Sequence, residues 1–142
     1  MVKQFLPKAL HHFKNNLLTV VMVFLAGMSN GVMDTLQFHY GKSIFNNSVK
    51  FEQEFWNPDI SWKNKYQDFP KDKSPRFPGS ITIFVWLTDG WHFFQAAMLI
   101  FFLLSIILYK NQRSYIIRFL MLIILFSSFS LGFSLMYDFF LI

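Results

Sequence analysis

Acidic side chains lie inside each of three apolar segments, where they could bind an ion, exchange a proton or pair with a base. They are Asp34 in the first segment, Asp89 with its neighbour His92 in the second, and Asp138 in the third. An ionisable group within a membrane span is costly, and it is kept mostly where it pairs, binds an ion or lines a wet cavity. The pattern therefore predicts a polar site, with the three carboxylates toward the same side of a bilayer.

The D-x-x-H pattern of Asp89 and His92 is the sharpest of these features, because residues three apart share one face of a helix. Carboxylates and neutral imidazoles are ordinary ligands of a divalent metal such as zinc or iron, and other segments must complete the shell. We predict that Asp34, Asp138 and His39 complete it, with His39 also a candidate proton carrier. The alternative is that Asp89 and His92 only pair with each other or make capping contacts.

Further polar side chains recur at helical spacing on the same three segments, and so could turn toward a common interior. They are Asn30, Gln37, Gln95 and Ser134. They are predicted to form a polar network around the acidic residues. The alternative is a hydrogen-bonded network that only holds helices together, for about 0.6 to 2 kcal/mol per contact.

The composition indicates a membrane protein. Of 142 residues, 54% are hydrophobic and 20 are phenylalanine, which is too apolar for a soluble domain of this size. We predict an all-α integral membrane protein that forms a single domain, 1–142, because the apolar residues concentrate in three long blocks. The expected transmembrane helices cover about 17–38, 80–109 and 119–142, with an aromatic-rich outer loop at about 39–79.

The distribution of charge predicts the orientation of the chain. Residues 1–15 and the link 109–118 carry only basic charges, whereas 38–78 carries seven Lys or Arg against five Asp or Glu. Under the positive-inside rule the N-terminus is cytoplasmic, and the long loop and the C-terminus lie outside a membrane that we expect to be a bacterial inner membrane. His11 and His12 are then expected at the inner interface as solvated residues. The expected partners are lipids and other membrane subunits, not nucleic acid.

Small residues of the first segment allow two further interpretations. Gly27 and Gly31 form a G-x-x-x-G pair, which lets another helix approach closely, either in this chain or in a partner. The basic start, the apolar stretch 17–26 and the small residues up to Ser29 also fit a signal peptide cleaved after Ser29. We expect an uncleaved helix.

Local signals predict the boundaries within the loop. Ser80, after Pro78 and Gly79, is expected to cap the second span, because a serine hydroxyl there satisfies an amide of the first turn. Asn57, followed by a proline, is expected to break short interfacial helices. The stretch 69–78 is expected to be an extended connector.

Two classes of function follow. The first is an accessory or assembly subunit of a larger membrane complex, favoured by the surplus of lipid-facing aromatics and the G-x-x-x-G pair. The second is a metal-dependent enzyme or ion-binding protein that uses the Asp/His cluster on a lipid or headgroup, with a metal to activate water and a carboxylate as base. The chain has no cysteine, no phosphate-binding glycine loop and no G-x-S-x-G elbow, so no catalytic residue is identified and the accessory role is preferred.

Overall fold

The computed structural model describes residues 2–47, 50–111 and 114–142, and within these ranges the side chains of residues 2–6 and 50–52 are not described. Helices dominate, with one small hairpin in the long loop. In chain order the elements are α1 Val2–Asn15, α2 Leu17–Phe38, α3 Lys50–Trp56, α4 Pro58–Ser61, β1 Tyr66–Asp68, β2 Asp72–Pro75, α5 Gly90–Leu108 and α6 Tyr115–Ser134. A π-helical segment, Leu135–Phe140, continues α6.

Three helices are long and apolar enough to cross a membrane. They are α2, α5, and α6 together with its continuation to Phe140. These helices form because each is a long apolar run in which the backbone polar groups pair internally. The expectation of three helices apolar enough to span is confirmed at the level of length and composition.

Two helix starts differ from the sequence prediction. The second apolar helix begins at Gly90 rather than near residue 80, because the Asp89 carboxylate caps its first turn. Ser80, expected to be the cap, is fully buried, and its hydroxyl donates to the carbonyl of Lys65 at 2.7 Å. The segment between them contains β-branched residues, which lose rotamer freedom in a helix, and it forms turns instead. The third helix begins at Tyr115, four residues earlier than predicted.

The central element of the bundle is α2, which packs along both α5 and α6. In its most apolar stretch 44% of the residues are buried, against 6% in α5 and 17% in α6. We name the two ends of the bundle for what lies there. The loop end is where α2 and α6 finish and α5 starts, and the basic end is where α2 and α6 start and α5 finishes.

A cluster of buried hydrophobic residues lies at the loop end. Val32 and Leu36 of α2 meet Leu141 there. The loop is fixed to this cluster by Trp56, whose indole stacks on Phe45 with ring centroids 4.7 Å apart. Partly buried side chains that pack around it are Tyr40, Phe45, Trp56, Trp91, Phe94 and Met136.

Glycines bring the backbones of α2 and α6 into direct contact. A Cβ added at Gly27 would lie 2.1 Å from the carbonyl oxygen of Phe129, and one at Gly31 would lie 2.6 Å from that of Phe133. On α6, Gly132 makes the reciprocal contact, because a Cβ added there would lie 2.2 Å from the carbonyl oxygen of Phe24 on α2. The G-x-x-x-G pair therefore serves packing within this chain. Cleavage after Ser29 would remove more than half of α2, the helix that packs along both α5 and α6.

The loop contains more regular structure than a connector. The break at Asn57 is present, and the Asn57 side chain accepts a hydrogen bond from the amide of Asp59 at 3.0 Å as α4 begins. The stretch expected to be only extended forms most of a hairpin instead, in which β1 and β2 pair antiparallel. Pairing gives the backbone groups of this polar stretch partners that an isolated extended chain would lack.

Candidate functional site

Asp89 and His92 form a carboxylate–imidazole pair at the loop end of α5. The Asp89 side chain is 3% exposed and that of His92 is 28% exposed. One carboxylate oxygen accepts the His92 backbone amide at 2.9 Å, and the other lies 2.7 Å from His92 Nδ1. The Thr88 hydroxyl donates to that second oxygen at 3.2 Å. Both oxygens of Asp89 are therefore used to cap α5 and to orient one imidazole.

The oriented imidazole borders a cavity of about 250 Å³ between α2, α4 and the start of α5. Gln37, Ser61, Trp62 and Trp91 contribute to its walls. Because Asp89 engages Nδ1, the other ring nitrogen of His92 is the one left to meet a ligand. The site can thus supply an imidazole held in a fixed orientation beside two indole rings.

The other predicted ligands have separate environments. Asp34 is half-buried on α2, and Asp138 is exposed. His39 is hydrogen-bonded to the Tyr137 hydroxyl, which ties the end of α2 to the end of α6. Within the described ranges, no three His, Asp or Glu side chains lie close enough together to hold one metal ion. The structure thus brings together Asp89 and His92 alone of the five residues predicted as metal ligands.

The polar network predicted for Asn30, Gln37, Gln95 and Ser134 takes one or two residues from each of the three apolar helices. Among the described residues these four side chains make no hydrogen bond to one another. The contact between α2 and α6 instead uses Ser128, whose hydroxyl donates to the carbonyl of Val20 at 3.0 Å. Ser128 precedes Ser134 by six residues, so it lies on another face of α6 than the one that the predicted network uses.

A second tie, at the basic end, was missed in the sequence. Asn16 is fully buried between α1 and α2. Its Oδ1 accepts the backbone amide of Lys110 at 2.7 Å, and its Nδ2 donates to the Lys110 carbonyl at 3.2 Å and to the His12 carbonyl at 3.0 Å. The one available signal was an asparagine directly before a long apolar run.

His12, expected to be solvated, is 4% exposed. Its ring meets that of Tyr109 edge-on, with centroids 6.3 Å apart. Burial, reinforced by the neighbouring His11, lowers the pKa of His12 below its ordinary value of 6.5. Burial in an apolar contact disfavours the charged ring.

We expect the free energy of unfolding to fall as the pH is lowered below about 6.5, since the unfolded chain then binds a proton that the folded chain refuses. At pH values above the pKa that His12 has in the unfolded chain, its burial no longer lowers the free energy of unfolding. Chemical unfolding in detergent at a series of pH values measures it. His12→Gln should flatten this dependence, whereas the matched variant His11→Gln should keep most of it. An unchanged slope in His12→Gln would contradict the assignment.

The loop also forms a cleft, composed of two adjoining cavities of about 440 and 450 Å³ that share Glu54, Asn64 and Arg76. Asn64 positions the cleft, because its amide group donates both to the Glu54 carbonyl and to the Thr88 carbonyl, the latter at 3.1 Å. The Arg76 side chain is exposed at the shared boundary. Aromatic and charged side chains line the walls: Phe55, Trp56, Lys63, Tyr66, Asp68, Phe69 and Phe77.

Comparison with known proteins gave no match. No family model matches the chain, and neither a curated protein nor a solved structure is detectably similar to it.

Proposed function

We propose that this chain is an accessory or assembly subunit of a larger membrane protein complex. In this proposal α2, α5 and α6 span a bacterial inner membrane, with the N-terminus in the cytoplasm and the loop and C-terminus outside. Support comes from the three apolar helices and from the stretches 1–15 and 109–118 at the basic end, which carry basic charges and no acidic ones. Lipid covers the apolar faces of α5 and α6, and the polar loop is available to another protein.

The cleft at Glu54, Asn64 and Arg76 is the observation that carries the proposal. It combines aromatic walls with an exposed arginine and charges of both signs. Aromatic residues and arginine are enriched at protein interfaces, and the residues with the largest binding effects are often of these types. The mixture fits a polypeptide segment of a partner better than a small apolar ligand.

The enzymatic alternative has less support. Both oxygens of Asp89 accept hydrogen bonds from His92 within one helix turn, which favours a capping and orienting role over that of a base. A bound metal at His92 stays a prediction, because the described residues provide no three-ligand group there. Elemental analysis of the purified protein by mass spectrometry would decide that point.

Charge reversal in the cleft tests the proposal. With Arg76→Glu, we expect a partner that co-purifies from native membranes at a fixed ratio to be reduced about tenfold or more, since the loss of a hot-spot arginine costs about 2 kcal/mol or more of binding free energy. The matched control is Lys71→Glu, which makes the same change of charge in the hairpin turn outside both cavities. Quantitative mass spectrometry of the purified complexes gives the ratio.

Either of two results would count against the subunit role. One is a protein that purifies from its native membrane with no partner at constant ratio. The other is a partner lost equally from Arg76→Glu and Lys71→Glu, which would show a general charge effect. Unchanged tryptophan fluorescence would establish that Arg76→Glu is folded, since Trp56 lies in the cleft wall.

A further inference from the structure

A groove separates α5 from α6 at the basic end of the bundle. Both helices pack on α2, but among the described residues they make few contacts with each other. The groove consists of two cavities of about 330 and 490 Å³, which share Ser105, Leu122 and Leu125 and are therefore continuous. Phe102 and Phe129 stack across it with centroids 5.8 Å apart and narrow it toward the loop end.

The polarity of the groove changes along its length. Near the basic end its walls include Arg118, Tyr109 and Thr19. Farther along they are almost wholly apolar, with Val23, Leu125 and aromatic rings. A molecule that fits both parts has a polar head and a hydrocarbon tail.

An unsatisfied hydroxyl lies in the floor at the polar part. The Thr19 side chain is 2% exposed. Its Oγ1 is buried and has no hydrogen-bond partner among the residues that the structure describes. A buried polar group without a partner costs about 1 to 3 kcal/mol, so a ligand oxygen placed here would be favoured.

The length of the groove indicates which occupant it takes. On α6 the walls run from Arg118 to Phe129, roughly 16 Å at about 1.5 Å per residue. One leaflet of a bilayer is about 15 Å of hydrocarbon, whereas a spanning helix needs about 30 Å. The groove therefore matches an acyl chain in a single leaflet and is too short for a transmembrane helix along its whole length.

The charge of this end indicates the headgroup. The Arg118 guanidinium lies over the Tyr115 ring, 5.3 Å from its centroid, at the mouth of the groove. Lys14 and Lys110 lie at the same end, and residues 1–33 and 90–137 contain no Asp or Glu. A positive mouth attracts the anionic lipids of a cytoplasmic leaflet.

We propose that the groove between α5 and α6 binds one anionic phospholipid, with its phosphate beside Arg118 and one acyl chain between the helices. This site lies at the opposite end of the bundle from the cleft at Arg76. The lipid site rests on the membrane insertion and orientation proposed above, but not on a partner at Arg76, so loss of the partner and loss of the lipid are distinguishable results.

Native mass spectrometry in a neutral detergent tests the lipid site, with dioleoyl phosphatidylglycerol or dioleoyl phosphatidylcholine added at equal concentration. We expect one retained phosphatidylglycerol and much less phosphatidylcholine. Arg118→Gln should lower phosphatidylglycerol binding about tenfold, the ratio expected for losing one charge-assisted hydrogen bond. Lys14→Gln removes a charge at the same end but outside the groove, and should retain binding.

A second variant tests the acyl-chain part. Leu125→Trp fills the groove and should abolish retention of both lipids, whereas Leu131→Trp, on the exposed side of α6, should not. Equal binding of the two lipids by the wild-type protein would overturn the proposal. So would phosphatidylglycerol binding by Arg118→Gln at the level of Lys14→Gln, a result that does not depend on whether Leu125→Trp folds.

Discussion

Gly27→Ala is expected to lower the free energy of unfolding by about 1 to 3 kcal/mol, the usual range for overpacking a close contact. The added Cβ would lie 2.1 Å from the Phe129 carbonyl oxygen, and the nearest atoms are backbone rather than the end of a flexible side chain. To relieve the overlap α6 must move away from α2, which weakens the bond from Ser128 to the Val20 carbonyl. Unfolding in mixed detergents, followed by circular dichroism, measures the loss.

Gly41→Ala provides the matched control, because a Cβ at Gly41 meets nothing within 4 Å. Its stability should stay within about 0.5 kcal/mol of the wild type, as for most surface substitutions. Gly132→Ala should resemble Gly27→Ala, since its Cβ would lie 2.2 Å from the Phe24 carbonyl oxygen. If Gly27→Ala and Gly41→Ala proved equally stable, the close contact between α2 and α6 would be wrong.

Asp89→Ala is expected to lower the free energy of unfolding by about 2 to 4 kcal/mol. About 1 kcal/mol is the usual effect of removing an N-cap, and about 1 to 3 kcal/mol more follows from leaving buried donors without an acceptor. The donors are the His92 amide and His92 Nδ1, whereas the Thr88 hydroxyl keeps the Val85 carbonyl as an acceptor at 2.7 Å. Tryptophan fluorescence during unfolding reports this site, because Trp91 lies in the same turn.

Asp89→Asn separates the effect of the helix cap on the free energy of unfolding from the effect of the carboxylate charge. The asparagine oxygen can still accept the His92 amide, so the loss should be about 1 to 2 kcal/mol smaller than for alanine. Asp138→Asn, at an exposed position, serves as the control and should change little. A loss for Asp89→Ala no greater than for Asp138→Asn would show that the buried pair does not stabilise the start of α5.

The helices could be predicted from the sequence because they depend on local properties. The length and hydropathy of the run 17–38 predict a helix, and α2 has those bounds. Asn57 before a proline also acts locally, and the break between α3 and α4 lies there. The start of α5 was placed wrongly because two cap candidates, Ser80 and Asp89, compete. The choice depends on the distant Lys65 carbonyl that takes the Ser80 hydroxyl.

The candidate site was predictable only in its local part. Asp89 and His92 meet because residues three apart in a helix lie next to each other on its surface. The positions of Asp34, His39 and Asp138 relative to that pair depend on how α2 and α6 rotate about their axes, which hydropathy does not specify. In the observed packing the glycines of α2 face α6, and His39 bonds to Tyr137.

The sequence by itself determined three apolar helices, a basic end and an Asp–His pair, since chain length, composition and spacing decide these. Only the tertiary structure decided that α2 is central, that α5 and α6 leave a groove between them, and that Asn64 and Arg76 belong to one cleft. The reason is that helix formation in an apolar segment satisfies its own backbone, whereas the arrangement of helices and loops depends on contacts between residues far apart in the chain.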